Sequence, residues 1–225
     1  MGGVMIKHRT GRYILVLFFM FLSAAVIPQK VFAQAERGIE LYKAGEYQKA
    51  ESTLQEALKA EPSNVTARYY LGLCALQQKK YGEALDVFLQ VGKEQARTDR
   101  RKRATVPNEY QVQLALARAH LGLRQYNEAW KNLESARVED MNSSDAYLYR
   151  GVYYYDQKKY AEAIKDLEKA ISLDKNNTYA YYYAGLAYAD SGNGAKAVDT
   201  LKYFLQLAPS APEAAKVKAL IDSLC

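Results

Sequence analysis

The chain has few of the side chains that carry covalent or metal chemistry. Its 225 residues include 2 cysteines and 2 histidines, too few for a disulfide scaffold. One histidine lies in the basic start of the chain and one cysteine is the final residue. His120 and Cys74 are therefore the only soft ligand candidates, fewer than the three or four of a zinc site. His120 lies in a helical pattern that predicts a packed structural role. Cys74 lies beside Gly72 in another such pattern, which favours a small buried side chain, whereas Cys225 could form an intermolecular disulfide. We expect no catalytic residues, no metal and no cofactor.

Proline and net charge are also low. With 5 prolines the chain can form long helices, and 49% hydrophobic with 25% charged residues is the composition of a globular protein. The formal net charge of +6 arises mainly in residues 1–33, which hold four bases and no acid. The rest of the chain has 27 basic and 25 acidic residues, so composition gives no reason to expect nucleic-acid binding.

Residues 1–33 have the pattern of a secretory signal peptide. A basic start and an apolar run over residues 14–27 precede Ala33, whose small side chain suits cleavage before Gln34. As a helix the run would measure about 21 Å, short of the roughly 30 Å hydrocarbon core of a bilayer. We therefore expect an exported protein of the bacterial periplasm or cell envelope. The alternative is a membrane-tethered assembly or structural factor that keeps the segment as an anchor, the one case in which we expect membrane contact.

A pair of helical patterns recurs along most of the chain. In the copy at 144–177, apolar and aromatic residues spaced by three and four predict two helices, and the polar stretch 156–159 predicts a turn between them. Three slots recur in five copies. They are a small residue (Gly38, Gly72, Ala117, Gly151, Gly185), the start of the second helix (Tyr47, Tyr81, Tyr126, Tyr160, Gly194) and an alanine (Ala50, Ala84, Ala129, Ala163, Ala197).

Together these slots resemble the tetratricopeptide repeat, a helix-turn-helix unit of 34 residues. The resemblance covers Gln34 to Ala211 and implies an all-α fold, a right-handed superhelical solenoid of five repeats with a C-terminal capping helix. The expected divisions are a signal peptide at 1–33, repeats 1 and 2 at 34–98, a basic insertion at 99–109, repeats 3 to 5 at 110–211 and the capping helix at 212–225.

The resemblance also implies a binding surface, because the first helices of this family line a concave groove. The side chains placed there are mostly apolar or aromatic, which suits a peptide or helix of a partner protein held by aromatic anchors. The predicted groove residues are Tyr42, Tyr69, Leu73, Leu76, Leu114, Arg118, Leu148, Val152, Tyr155, Tyr182 and Leu186, with Ile39, Lys43, Gln77, Leu121, Asp156, Tyr179 and Asp190 in neighbouring facing slots. The competing interpretation is that some of them simply pack inside the superhelix.

The groove has a composition that disfavours one known activity of the family. Some members hold the terminal carboxylate of a chaperone with Lys, Asn and Arg, whereas the matching slots here hold Tyr, Leu and Val. We therefore expect a non-catalytic protein-interaction scaffold with a preference for something apolar, and leave its oligomeric state open.

A basic cluster accompanies the insertion between repeats 2 and 3. The interval from Tyr81 to Tyr126 is 45 residues, where the neighbouring repeats are 34 apart. The cluster consists of Arg97, Arg100, Arg101, Lys102 and Arg103. The simplest interpretation is a solvated loop, and the alternative is a docking patch for an acidic partner or anionic lipid head groups. Nucleic acid is disfavoured because no aromatic residue is interleaved with the charges.

Turn and cap signals fall between the predicted helices. The sequence Gly192-Asn193-Gly194 predicts a turn rather than a phosphate loop, since it follows no strand. Three Asn-X-Ser/Thr motifs begin at Asn64, Asn142 and Asn176. We interpret them as repeat junctions in which Asn forms the turn and Ser or Thr caps the next helix, rather than as glycosylation sites.

Overall fold

The computed structural model describes residues 33–97, 107–139 and 142–224, and within these ranges it contains helices and turns but no strand. The first helix, α1, covers residues 33–43. The others are α2 (Tyr47–Ala60), α3 (Val65–Gln77), α4 (Tyr81–Arg97), α5 (Glu109–Gly122), α6 (Tyr126–Glu139), α7 (Ser144–Asp156), α8 (Tyr160–Leu173), α9 (Thr178–Asp190), α10 (Gly194–Leu207) and α11 (Ala214–Leu224).

The same backbone conformation recurs in the turn that follows each first helix. Each turn between a first and a second helix contains a residue of positive φ, and these residues are Gly45 (79°), Lys79 (60°), Arg124 (57°), Lys158 (57°) and Gly192 (84°). A left-handed residue lets the chain leave one helix and reverse direction within a few residues. The positions are spaced like the repeat slots of the sequence, and the turn at Gly192 is confirmed.

The helix N-termini correct the interpretation of the Asn-X-Ser/Thr motifs. Ser143 accepts a hydrogen bond from the Ala146 amide at 3.3 Å, as expected for a capping hydroxyl. At the other two motifs an asparagine is the cap, and Asn64 accepts from the Ala67 amide at 2.9 Å. Asn177 does the same for α9. The expectation of a threonine cap is wrong there, because the carboxamide already occupies the position next to the helix and the threonine lies inside it.

The chain divides into two compact units, Met1–Gln78 and Lys79–Cys225. The first unit, described from residue 33, packs α1, α2 and α3 around Leu54, which is fully buried. Gly38 of α1 makes this possible, because a Cβ atom built there would lie 2.6 Å from Leu54 Cγ. The small slot of the repeat therefore receives a leucine from the paired helix.

The second unit has two layers of helices. The pairs α5–α6, α7–α8 and α9–α10 pack as hairpins, and the first helices α5, α7 and α9 also contact one another in sequence order. Each of the second helices α4, α6 and α8 packs on the first helix that follows it. Fully buried side chains between the layers include Phe88, Leu133, Leu167, Leu201 and Phe204. One face of the first-helix layer is therefore covered, and the other is where a groove is expected.

The helix α11 packs against α10. Val217 and Ile221 are buried in one cluster with Leu201 and Phe204, and Leu220 packs against the same cluster. α11 therefore covers apolar surface of the last repeat that would otherwise face water.

A hydrogen bond links the described residues on the two sides of the insertion. α4 has 17 residues and ends at Arg97, which is exposed, whereas the second helices α6, α8 and α10 have 14 each. The buried side chain of Gln95 donates a hydrogen bond to the carbonyl of Pro107, just before α5. The remaining basic residues, Arg100, Arg101, Lys102 and Arg103, lie outside the described residues, so their role as a docking patch stays a prediction.

The predicted signal segment, with its apolar run over residues 14–27, lies outside the described residues except for Ala33, which begins the described part of α1. Among the helices that the structure describes, none combines the length and the apolar character needed to cross a bilayer.

Candidate functional site

Burial separates the predicted groove residues into two groups. Four of them are in the core, with exposed fractions between 2% and 8%: Leu76, Leu114, Leu148 and Val152. The others are half-buried and present part of their side chains at the surface: Tyr42, Tyr69, Leu73, Arg118, Tyr155, Tyr182 and Leu186. The second group can contact a ligand directly, whereas the first can only support the surface from beneath.

In the first unit the two predicted tyrosines, Tyr42 and Tyr69, each pack on Tyr70. The ring of Tyr42 lies 5.4 Å from that of Tyr70, and the ring of Tyr69 lies 5.8 Å from Tyr70, both edge to face. The Gln77 amide donates to the Tyr42 hydroxyl at 3.4 Å and so links α3 to α1. These contacts hold the rings in place on the first helices.

In the second unit four tyrosines of α7 and α9 form a continuous chain of rings, which we call the tyrosine row. Centroids of Tyr155 and Tyr183 are 6.1 Å apart, those of Tyr183 and Tyr182 are 5.0 Å apart, and those of Tyr182 and Tyr179 are 6.2 Å apart. All three pairs are edge to face, with interplanar angles of 65°, 76° and 86°. This geometry is the favourable one for aromatic pairs and fixes each ring against the next.

A carboxylate lies at each end of the tyrosine row. The Tyr155 hydroxyl donates to Asp190 Oδ2 at 2.8 Å, which connects α7 to the end of α9. At the other end the Tyr179 hydroxyl donates to Glu213 Oε2 at 3.5 Å. Glu213 belongs to the segment that leads into α11, and its Oε1 lies 3.9 Å from Lys79 Nζ. The hydroxyls at both ends therefore donate to acids of the same chain.

The surrounding protein keeps these phenols neutral. Desolvation by burial is the largest cause that raises the pKa of Tyr155, and the hydrogen bond to Asp190 raises it further. Burial also raises the pKa of Tyr182 and of Tyr183, and the charge of Glu213 adds to both shifts. A phenol with a raised pKa stays protonated at neutral pH and so cannot act as a base there. The row is therefore suited to contact rather than to proton transfer.

Asp156, predicted in a facing slot of the groove, lies at the end of α7 and its side chain is exposed. Desolvation by the surrounding protein raises the pKa of its carboxyl, and the charge of Arg124 opposes the shift.

Arg118 of α5 extends the same surface. Its guanidinium carbon lies 6.0 Å from the Tyr149 centroid. Its charge also lowers the pKa of the Tyr179 phenol, against the larger opposite effect of burial. Arg118 and Tyr179 come from α5 and α9, and both are predicted residues of the first-helix layer.

Two residues of this site were not predicted from the sequence. Tyr183 lies in the middle of the row, and its spacing of four from Tyr179 would have placed it on the same side of α9. Glu213 lies outside the repeats, and no repeat slot could have indicated that it reaches the first-helix layer.

The residues considered for chemistry lie elsewhere. Cys74 is fully buried, as predicted, and desolvation raises the pKa of its thiol to about 12. His120 is half-buried rather than in the core, with Nδ1 2.7 Å from Gln125 Oε1 in the following turn. Across the part of the chain that the structure describes, no group of three or more His, Cys, Asp or Glu side chains could hold a metal ion.

Comparison with family models gives one description for three segments of the chain. Models described as "Tetratricopeptide repeat" match residues 36–96, 144–177 and 179–211. Together these segments make up more than half of the chain. No curated protein matches the chain significantly.

Several solved structures are similar in fold. TTC0263, a thermophilic TPR protein in Thermus thermophilus, has a TM-score of 0.67 and 20% identity over 86% of this chain and 98% of its own. The APC/C hetero-tetramer Cut9-Hcn1 has a TM-score of 0.72 and 16% identity, covering 86% of this chain and 36% of that one. MamA 41-end from Desulfovibrio magneticus RS-1 has a TM-score of 0.55 and 20% identity, covering 81% and 97%. The predicted all-helical, superhelical repeat fold is confirmed.

Proposed function

Because this chain belongs to the tetratricopeptide repeat family, we propose that it is a non-catalytic scaffold that binds a peptide or helix of a partner protein on its first helices. The observation that carries the proposal is the tyrosine row of α7 and α9, in which Tyr179 is exposed, the other three rings are half-buried and the ring geometry is fixed. Tyrosine supplies a large amphipathic contact area with few rotatable bonds, which is why it is common among residues that dominate binding energy.

Pre-organisation supports this role. The rings of Tyr155 and Tyr179 are held by hydrogen bonds to Asp190 and Glu213, and both Tyr182 and Tyr183 contact neighbours in the row. Side chains that are already ordered lose little entropy when a partner binds, and each immobilised side chain otherwise costs about 0.5–1.5 kcal/mol. The same contacts leave part of each ring open at the surface.

Site-specific photo-crosslinking tests the proposal. A photoreactive amino acid is introduced at Leu186, a half-buried groove residue of α9, or at Lys165, an exposed residue of α8 in the other layer. In cells that make the full chain, we expect covalent adducts to a discrete partner from position 186 and none from position 165. Adducts that form equally from both positions, or from position 165 alone, would contradict a groove on the first helices.

We also propose that the protein acts after export, which rests on the pattern of residues 1–33. Intact mass of the protein from fractionated cells tests this. Loss of these residues supports a secreted scaffold, and their retention in a membrane fraction supports the tethered assembly factor instead.

A further inference from the structure

We propose that the tyrosine row binds a cationic side chain of the partner, an arginine or a lysine, between its two carboxylates. This inference rests on the proposed function and specifies the chemistry of what is bound.

The end hydroxyls of the row are already used as donors. Tyr155 donates to Asp190 and Tyr179 donates to Glu213. An ionised carboxylate has two oxygens with about four acceptor positions, so each acid can accept further hydrogen bonds after binding one phenol. The ends of the row therefore present acceptors, which match a ligand group rich in donors. Guanidinium has five N–H donors and ammonium has three.

The rings between the two acids favour the same kind of ligand. The face of an aromatic ring carries partial negative charge and attracts a cation within about 6 Å of its centroid. The chain already uses this contact elsewhere, since Arg118 lies over Tyr149 and Arg150 lies 5.2 Å from the Tyr147 centroid. An anionic ligand would meet carboxylates at both ends of the row and electron-rich faces between them.

A cation of this chain at the row is weakly held. Lys79 is paired with Glu213 at 3.9 Å, and the lysine side chain is 68% exposed whereas that of Glu213 is 17% exposed. Because the lysine lies in water and the contact is long, a cation from a partner can take its place. Arg124 opposes the pKa shift of Asp156 at the end of α7, and Arg118 acts on Tyr179 at the opposite end of the row. The hydrogen bond that the structure gives for Asp190 comes from the neutral phenol of Tyr155.

The first unit provides an internal comparison. Tyr42 and Gln77 are 35 residues apart and connect α1 to α3, as Tyr155 and Asp190 connect α7 to α9 over the same interval. The residue that follows the tyrosine by 35 positions is a glutamine in the first unit and an aspartate in the second. That aspartate belongs to the tyrosine row, and we expect the cation preference there.

Binding of matched peptides to the full chain tests the inference. The probes are three short, acetylated and amidated peptides with identical flanks that include leucines, and with arginine, citrulline or glutamate at the centre. Citrulline has the shape of arginine without its charge. We expect the arginine peptide to bind about tenfold more tightly than the citrulline peptide, and the glutamate peptide to bind most weakly.

Isosteric variants locate the effect. Asp190→Asn and Glu213→Gln should each reduce arginine-peptide affinity severalfold and leave citrulline-peptide affinity unchanged. The controls Glu83→Gln on α4 and Asp222→Asn on α11 remove exposed charges outside the row and should change neither. Equal binding of the arginine and citrulline peptides, or no binding of the arginine peptide, overturns the cation site. The crosslinks from position 186 decide the proposed function separately, because they do not depend on the charge of the probe.

Discussion

Arg150 of α7 and Asp166 of α8 form a buried, two-pronged ion pair inside the fourth repeat. Arg150 Nε lies 2.6 Å from Asp166 Oδ2, and Nη2 lies 2.6 Å from Oδ1. The two side chains are only 13% and 5% exposed. The hydrogen bond to Asp166 is the largest cause that raises the pKa of Arg150. The equivalent slots of the second repeat hold Leu71 and Val87, so the repeat can be built with or without this pair.

The first prediction concerns the removal of one partner of this pair. Asp166→Val should lower the free energy of unfolding by about 3–5 kcal/mol, because it leaves the Arg150 charge buried without its counter-ion. The double variant Arg150→Leu with Asp166→Val, which copies the second repeat, should recover most of that loss. Urea unfolding followed by circular dichroism measures both. A double variant as unstable as the single one would contradict the explanation that the loss comes from the unpaired charge of Arg150.

Only part of this ion pair could be predicted from the repeat slots. The helical hairpins, their register and the small slots followed from periodicity, because burial of one helix face requires apolar residues at regular spacing. Arg150 is visible in the sequence as a departure, because the equivalent slot of the second repeat holds the apolar Leu71. Its partner did not, since Asp166 lies on the other helix of the hairpin and only the folded structure shows that the two side chains meet.

The same limit applies to the candidate site. Tyr155, Tyr182 and Arg118 were found because the family places first-helix residues in a groove. Periodicity could not separate them from Leu148 and Val152, which lie on α7 with Tyr155 but are buried. How much of a side chain stays at the surface depends on the neighbouring helix, and this information is not contained in one repeat.

The second prediction concerns the small slot of the repeat. A Cβ atom at Gly151 would lie 2.6 Å from Leu167 Cγ, and Leu167 is fully buried. Gly151→Ala should therefore lower the free energy of unfolding by about 1–3 kcal/mol through overpacking. Gly82→Ala in the first turn of α4 is the matched control, since nothing lies within 4 Å of its Cβ position. Alanine is the better helix former, so this change should be neutral or stabilising by up to about 1 kcal/mol. Thermal unfolding compares the two, and equal effects would contradict the packing argument.

The third prediction concerns Cys74 and alkaline pH. Burial, and then the charge of Glu51, raises the pKa of its thiol from 9.0 to about 12. Below pH 9 the thiol is protonated in both states and has no effect on pH dependence. Between pH 9 and 12 the unfolded chain loses this proton and the folded chain keeps it, so stability falls with rising pH by at most about 1.4 kcal/mol per unit.

Two measurements check the role of this thiol. In a Cys225→Ser background, the wild-type residue and Cys74→Ala are compared by urea unfolding across this pH range, and the variant should lose less stability as pH rises. At neutral pH, iodoacetamide should modify Cys74 only as fast as the protein opens. Rapid alkylation of the folded protein would mean that the thiol is accessible.

The last prediction concerns the tyrosines of the groove. Tyr155→Ala and Tyr182→Ala in the row, and Tyr69→Ala in the first unit, should each weaken binding of the crosslinked partner by about 1–2 kcal/mol, the usual scale for aromatic anchors. Tyr155→Phe separates the contribution of the ring to affinity from that of the hydroxyl, because it keeps the ring contact and loses the hydrogen bond to Asp190.

Tyr203→Ala is the control. Its ring is 56% exposed and stacks on Tyr181 at 5.6 Å outside the row, so it should leave affinity unchanged. Calorimetry with the isolated partner measures each affinity, and circular dichroism verifies that the variants remain folded. If the three groove variants bind like the wild type, the partner contacts another surface of the protein.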